Sequence, residues 1–406
     1  RNFDYHQDLQ DDLMAKRSEP SAKISEFIGL NNKAEPRAMR PGELNQADNI
    51  DIDDRKRIRR RRDTRKVLSL VNTTSAWAPP DEERLFLVGG GVLYEVVGDG
   101  LGLIPLASGL DDGETYWATD GERIFVSNEA GDLVIDREEA YPLAIPELTT
   151  PQVRQISGSL PAGRYLAAVV LQDPRGRQGG SSQIVQVNLE DNSGIQFDVP
   201  DVPAGYTPRY YVSSTNGDIL QNAAQQLRDV NELGAAMEEA QYSGKAPLPG
   251  GPITWHAGRL MKGLDTVAEG TGAVVASDPY WPHLFHYGRE DFLVPGKILA
   301  LEDVNNELLI GTTRRILARN SEGALVTLAD YGMVSGHGVA KDDNGTVFFW
   351  TEEGMCRAFP FENLTEANIS APSGTRCAVG IVKQGGFERV VAITRGPVSG
   401  AADNPR

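Results

Sequence analysis

Ile298-Leu299-Ala300-Leu301, Glu307-Leu308-Leu309-Ile310-Gly311-Thr312, Arg315-Ile316-Leu317-Ala318-Arg319 and Ala324-Leu325-Val326-Thr327-Leu328 follow one another within residues 295 to 360. After Gly336-His337-Gly338-Val339-Ala340, the turn Asp343-Asn344-Gly345 leads into Thr346-Val347-Phe348-Phe349-Trp350-Thr351, and Glu353-Gly354 into Met355-Cys356-Arg357-Ala358-Phe359. Each run is short, apolar or β-branched, and bounded by Gly, Asn or Asp. That is the pattern of antiparallel strands and not of helices. Strands at near-even spacing in such number predict a β-propeller.

The same phrasing extends outward. Arg84 to Val88, Val92 to Val97 and Leu103 to Ala107 read as strands, with Gly89-Gly90-Gly91 as a permissive turn. No Lys-Ser/Thr follows those glycines, so they are read as a turn and not as a phosphate loop. Glu114 to Ala118, Arg123 to Ser127 and Leu133 to Asp136 continue the series. The rhythm changes at Thr149. Gly163 to Leu171, Ser182 to Leu189, Ile195 to Val199 and Pro208 to Ser213 are longer strands with wider turns, and residues 149 to 218 predict an inserted immunoglobulin-like or fibronectin-like β-sandwich. Residues 219 to 249 are expected to be a partly helical linker, because Leu220, Ala223, Ala224 and Leu227 fall at helical spacing. Thr254 to Leu260 reads as one strand that returns to the propeller. Val379 to Val382 and Arg389 to Thr394 supply its last strands.

The expected fold is therefore mainly β. It comprises an extended N-terminal arm (1–48), a first propeller part (49–148), the inserted sandwich (149–218), the linker (219–249), a second propeller part (250–395) and a C-terminal tail (396–406).

The chain has 406 residues, is 40% hydrophobic and carries a net charge of −17. An acidic body disfavours wrapping around free nucleic acid, whose non-specific affinity comes from phosphate neutralisation. The charge is uneven: nine of the twelve residues from Arg55 to Lys66 are Lys or Arg. Just before them, Asp48-Asn49-Ile50-Asp51-Ile52-Asp53-Asp54 alternates acid and isoleucine, the period of a half-buried strand, and Arg57-Ile58-Arg59-Arg60-Arg61-Arg62 begins its partner. These arginines can contact DNA or an acidic neighbouring protein. They can also pair with Asp48, Asp51, Asp53 and Asp54 of the hairpin or of an adjacent subunit, and the pairing is preferred here.

The run Phe27-Ile28-Gly29-Leu30-Asn31-Asn32, then Ala47-Asp48-Asn49-Ile50-Asp51-Ile52-Asp53, then Ile58-Arg59-Arg60-Arg61, resembles the N-terminal signature of phage tail nozzle, or tail hub, proteins. The Tyr210-Tyr211 strand with its turn Thr215-Asn216-Gly217-Asp218, the Asp278-Pro279 turn, Pro295-Gly296-Lys297-Ile298, Gly311-Thr312, Tyr331-Gly332 and Phe349-Trp350 are similar to the same family, over roughly residues 24 to 395. The resemblance implies a structural virion protein of a short-tailed phage, assembled in the host cytoplasm. Its subunits would form a homo-oligomeric ring, expected as a hexamer, below the portal or adaptor protein and beside tail fibre, spike or needle proteins. Double-stranded DNA would be retained by that ring and then pass through it. The interface residues expected from the charge pairing are Asp51, Asp53, Arg59, Arg60, Arg61 and Arg62.

Little else carries chemistry. His283 and His286 are three apart, a spacing that can serve a metal, but no second ligand pair accompanies them and packing histidines are preferred. The adjacent pairs Glu352-Glu353 and Asp342-Asp343 diverge on a strand, whereas glycosidase work needs two carboxylates facing across a pocket. Cys356 and Cys377 have no metal-ligand spacing and are expected as buried thiols. No apolar run approaches the length of a membrane span and no secretion signal opens the chain, so a soluble chain with no membrane insertion is expected. The expectation is a non-enzymatic protein without cofactor or metal. Two alternatives stand beside it: a tail fibre or receptor-binding protein with a glycan-recognising propeller face, and a propeller glycosidase.

Overall fold

The computed structural model describes residues 26–47, 50–52, 55–60, 68–80, 84–98, 102–199, 201–266, 268, 270–289, 291–334, 337–370, 374–384 and 387–395. The chain divides into two compact units, one of residues 1–65 with 365–370 and one of all the rest.

The larger unit is mainly β. Among its described residues are five four-stranded antiparallel sheets, each strand hydrogen-bonded to the next in sequence. The first holds Thr73–Trp77, Leu85–Gly89, Val92–Val97 and Gly102–Ser108. The second holds Tyr116–Thr119, Arg123–Ser127, Leu133–Asp136 and Glu139–Pro142. The third holds Ile253–His256, Arg259–Asp265, Thr271–Ala276 and Phe292–Pro295. The fourth holds Ile298–Val304, Glu307–Thr312, Ile316–Arg319 and Leu325–Ala329. The fifth holds Val339–Lys341, Val347–Thr351, Gly354–Arg357 and Glu362–Asn363. A hairpin, Arg376–Gln384 with Phe387–Arg395, comes last.

Successive sheets stack face to face, which explains why their strands read as continuous apolar runs and not as alternations. Side chains on a strand point alternately to opposite faces. In Arg123–Ser127, Ile124 and Val126 pack with Phe86, Val88 and Leu93 of the first sheet, while Phe125 packs with Leu260 and Val275 of the third. In Glu307–Thr312, Leu308 and Ile310 join Met261 and Val274 of the third sheet, while Leu309 joins Val347 and Phe349 of the fifth. Trp350 and Met355 then pack with Cys377 of the final hairpin. Both faces of the central sheets are therefore buried, as in the blades of a β-propeller. Neither cysteine is in a disulfide, and both are buried.

Some details differ from the sequence reading. Residues 254 to 260 are not one strand: Ala257 (φ 50°) and Gly258 (φ 76°) reverse the chain, and Ile253–His256 pairs back on Arg259–Asp265. Alanine is not a usual left-handed turn residue, so only its glycine neighbour marked the site. The hairpin of residues 50 to 60, expected in the first propeller part, belongs instead to the smaller unit. The final hairpin, Arg376–Gln384 with Phe387–Arg395, supplies the last strands of the larger unit. Among the described residues its one contact of sheet type beyond itself is the parallel bridge from Ala378 to His337.

Between the second and third blades the chain forms two further sheets. Gln152–Leu160, Ser193–Asp198 and Gln226–Leu227 make a three-stranded one. Gln178–Ser181, Gly163–Gln172, Thr207–Ser213 and Leu220–Ala223 make the other, with Val185–Leu189 pairing the first half of the long strand Gly163–Gln172. They share one core of Leu160, Tyr165, Val169, Ile195, Phe197, Val212 and Leu227. The region therefore runs to Leu227 and not to residue 218, and the helical reading of 219 to 227 is corrected. Leu220 pairs with Ser213 and Ala223 with Tyr210, and this pairing overrides a helical spacing that offered no packed face of its own. Only Val230–Glu232, a single 3₁₀ turn, and the short helix Glu239–Ser243 are helical in the linker. A fragment of residues 149 to 228 is accordingly expected to give a dispersed amide spectrum. One ending at residue 218 loses two strands and the core residue Leu227, and is expected to collapse toward an undispersed spectrum; equal dispersion in both would contradict this topology.

The insert is fastened to the second and third blades. Arg175 and Arg177 stand over the Tyr141 ring at 3.8 and 4.7 Å, and Arg175 pairs with Glu139 at 2.6 Å. Arg177 also donates to the Pro142 carbonyl at 2.8 Å. His283 Nε2 lies 2.9 Å from the Gln178 carbonyl, and burial holds the imidazole at about 4, so it is neutral and donates. Gly180 packs so closely there that a Cβ on it would lie 2.1 Å from the Gly244 carbonyl oxygen.

In the smaller unit, Gly29–Leu30 pairs in parallel with Glu43–Leu44, and Ile50–Ile52 forms an antiparallel hairpin with Ile58–Arg60. Asn32 donates its backbone N–H to the Asn368 carbonyl at 3.0 Å, and its side-chain oxygen accepts from Ser370 at 2.6 Å. Residues 1–25 of the expected arm, and the tail 396–406, lie outside the described residues.

Candidate functional site

Two places carry concentrated charge. The first is the hairpin singled out in the sequence. Asp51 sits directly opposite Arg59, Ile50 opposite Arg60 and Ile52 opposite Ile58. A cross-strand pair of opposite charge stabilises such a ribbon by roughly 0.2–1 kcal/mol. Lys56, at φ 57° in the turn, pairs with Glu26 at 3.3 Å. Asp53, Arg61 and Arg62 lie outside the described residues, so of the six expected interface residues Asp51, Arg59 and Arg60 are placed on one ribbon.

The second place is an open cavity of about 860 Å³ lined by the same ends of the second to fifth blades and the start of the last hairpin. Glu114 and Tyr116 come from the entry to the strand Tyr116–Thr119, Glu129 from the turn after Ser127, and Asp265 from the end of its strand. Lys297, Glu352 and Arg376 complete the charged lining. Four carboxylates thus face two cations. Tyr116 donates its hydroxyl to Glu114 at 2.5 Å, and Lys297 bridges to Asp265 at 2.9 Å. Burial pushes the Tyr116 phenol far above its ordinary range, and the charges of Glu114, Asp265 and Glu129 push the same way. It is therefore a permanent donor and not a base. Lys297 is held above its usual value by its bond to Asp265, and Glu129 and Glu114 add to the effect. The His337 ring stacks on Tyr116 with centroids 6.3 Å apart, and its Nε2 is buried without a hydrogen-bond partner. The arrangement favours cationic groups and repels phosphate.

Behind the cavity wall, next to Gly263, Lys262 on the strand Arg259–Asp265 is fully buried and pairs with Asp132 of the second blade. Ser127 Oγ lies 3.2 Å from the ammonium, and the Gly250 N–H donates to Asp132 at 3.3 Å. Burial drives the Asp132 carboxyl up and the Lys262 ammonium down, each opposed by the partner's charge.

Sequence reasoning named Glu352 only as half of an adjacent pair and did not bring the cavity residues together. They lie far apart in the chain and share only a position, at one end of the strands nearest the cavity, which becomes visible once strand directions are known. The histidine pair does not converge: His283 serves the Gln178 carbonyl, while His286 lies against Ser243 at 3.0 Å and Asp278 at 3.5 Å. Among the described residues no group of three or more His, Cys, Asp or Glu is placed to hold a metal, and no helix is long and apolar enough to cross a membrane.

No protein-family model and no curated protein sequence matches the chain. Among solved structures, the Dos1 propeller is 10% identical with a TM-score of 0.33, covering 75% of this chain and 73% of that one. Hsv2 from Kluyveromyces lactis is 11% identical with a TM-score of 0.29, covering 76% and 86%. A luciferin-regenerating enzyme is 10% identical with a TM-score of 0.26, covering 70% and 85%. The propeller assignment above rests on the sheet topology and the stacked cores.

Proposed function

We propose that this chain is a structural subunit of a phage tail nozzle or hub, which assembles as a ring of about six copies. The ring sits below the portal and adaptor, retains packaged DNA and lets it out on infection. The observation that carries the reading is the combination of stacked four-stranded blades, a two-sheet insert after the second blade and a separate N-terminal unit with an acid-arginine hairpin. The tail-nozzle phrases in the sequence imply the blades and the insert between them, and they place the acid-arginine hairpin ahead of the first blade strands. The insert is read as an immunoglobulin-like or fibronectin-like module, since two antiparallel sheets enclose one core.

The DNA passage belongs between copies. A cavity of about 860 Å³ within one propeller is of small-molecule size. A net charge of −17 suits a lumen that must not hold phosphates tightly, because each Lys or Arg contact would slow ejection. The role is non-enzymatic and virion-bound, with fibre, spike or needle proteins as further neighbours. Two-dimensional class averages of the purified particle test this reading, and rings with an axial lumen are the expected result.

One observation favours a second reading, in which a propeller face recognises a host glycan. Tyr280, beside Trp281 in the loop Pro279 to Pro282, is 90% exposed. Exposed aromatic rings of this kind stack on sugars. Compact trimers that bind members of a glycan panel would support that reading in place of the ring.

A further inference from the structure

The hairpin tip concentrates positive charge on a chain that is otherwise strongly negative. Arg55, Lys56, Arg57, Arg59 and Arg60 fill five of the six positions from 55 to 60, and all six residues are exposed. From Arg55 to Lys66 nine cations stand against Asp63 alone, a net charge of +8, so a chain of −17 carries −25 elsewhere. Among the described residues, Asp51 stands across the ribbon from Arg59 and Glu26 pairs with Lys56.

The other charged feature has the opposite sign. Glu114, Glu129, Asp265 and Glu352 ring the cavity mouth against Lys297 and Arg376, and Lys297 is already joined to Asp265. Guanidinium groups bind carboxylates through two parallel hydrogen bonds, and an exposed acidic rim offers them several acceptors.

We propose that the tip of this hairpin, Arg55 to Arg60, docks on the acidic cavity mouth of a second copy of the chain. The inference rests on the ring reading and names the contact that makes it. The basic and acidic surfaces are different patches, so the contact is heterologous, and repeated from copy to copy it generates a closed ring or an open filament. Charge complementarity selects the occupant. A second copy brings the matching carboxylates at equal stoichiometry, while a nucleic acid meeting the hairpin would also meet the repulsion of the remaining −25.

The test uses the full chain and light scattering at low salt. The triple substitution Arg57→Glu, Arg59→Glu and Arg60→Glu is expected to weaken self-association about 100-fold, by loss of charged contacts and addition of repulsion. Combining it with Glu129→Lys and Glu352→Lys, which also reverse exposed side chains, is expected to restore at least about tenfold of that loss. In the unaltered protein, association is expected to weaken as salt rises, a readout that stands even if the substituted chain folds poorly. If the triple variant assembles as the unaltered chain does, the docking is wrong and the ring reading survives. If the unaltered chain is monomeric, the ring reading itself fails. Unchanged assembly with lost retention on double-stranded DNA would assign the hairpin to nucleic acid and overturn the proposal.

Discussion

Lys262→Ala is expected to destabilise the protein by about 3–5 kcal/mol, the usual cost of removing one partner of a buried ion pair. Lys262 is 0% exposed and the Asp132 side chain 2%, so neither charge reaches water. Truncating the lysine leaves the carboxylate buried, with Ser127 and the Gly250 N–H as hydrogen-bond partners. It must then take up a proton or draw water between the second and third blades. The double change Lys262→Met with Asp132→Leu removes both charges and is expected to cost much less, because a well-packed apolar pair avoids the desolvation of both ions. Urea unfolding of the three proteins measures the difference. A loss below about 1 kcal/mol for Lys262→Ala would mean that this contact is hydrated.

Glu302→Gln is expected to stabilise the protein at neutral and higher pH and to have little effect near pH 4. Glu302 lies on the strand Ile298–Val304 and points toward the fifth blade, as do Ala300 and Val304, which pack with Val347 and Phe349. Burial pushes its carboxyl up to about 7. The Lys341 charge pulls it down and Asp303, which holds His256 at 2.5 Å, pushes it up. A carboxyl whose folded value is raised contributes stability fully below its unfolded value, near 4.5, and that contribution is lost as pH rises through about 7. The loss amounts to about 3 kcal/mol. His283 acts in the opposite sense: held at about 4 by burial, it contributes stability at higher pH that is lost as pH falls from about 6.5 through 4. Comparing variant and parent at each pH cancels the histidine. Melting curves from pH 4 to 8 should therefore show a gap that widens with pH, and a constant gap would place Glu302 in water.

The blades were legible because the physics that buries them is local. Leu308-Leu309-Ile310 has no alternation, as a strand covered on both faces requires, and Asn305-Asn306 before it adopts positive φ (53° and 66°), as a tight hairpin turn needs. The hairpin between Ile50 and Arg60 was legible from alternation and charge. Its membership was not: it is sequence-adjacent to the first blade, but its unit is completed by residues 365–370, more than 300 positions away. Leu220 to Leu227 misled because two-residue and four-residue strands carry too few positions to fix a period, and partners distant in sequence decided their structure. The cavity mouth was hidden for a related reason. Glu114, Asp265 and Glu352 are ordinary turn acids one by one, and only the stacking of blades brings them to one rim. The buried Lys262 was equally silent, since its strand neighbours Leu260, Met261 and Leu264 do not announce a charge between them.

The most direct test of the nozzle account is the symmetry of the purified particle by electron microscopy. The account predicts class averages of a closed ring of about six copies, with an open axial lumen wide enough for duplex DNA and formed between subunits. Monomers, or compact trimers without a lumen, would contradict it.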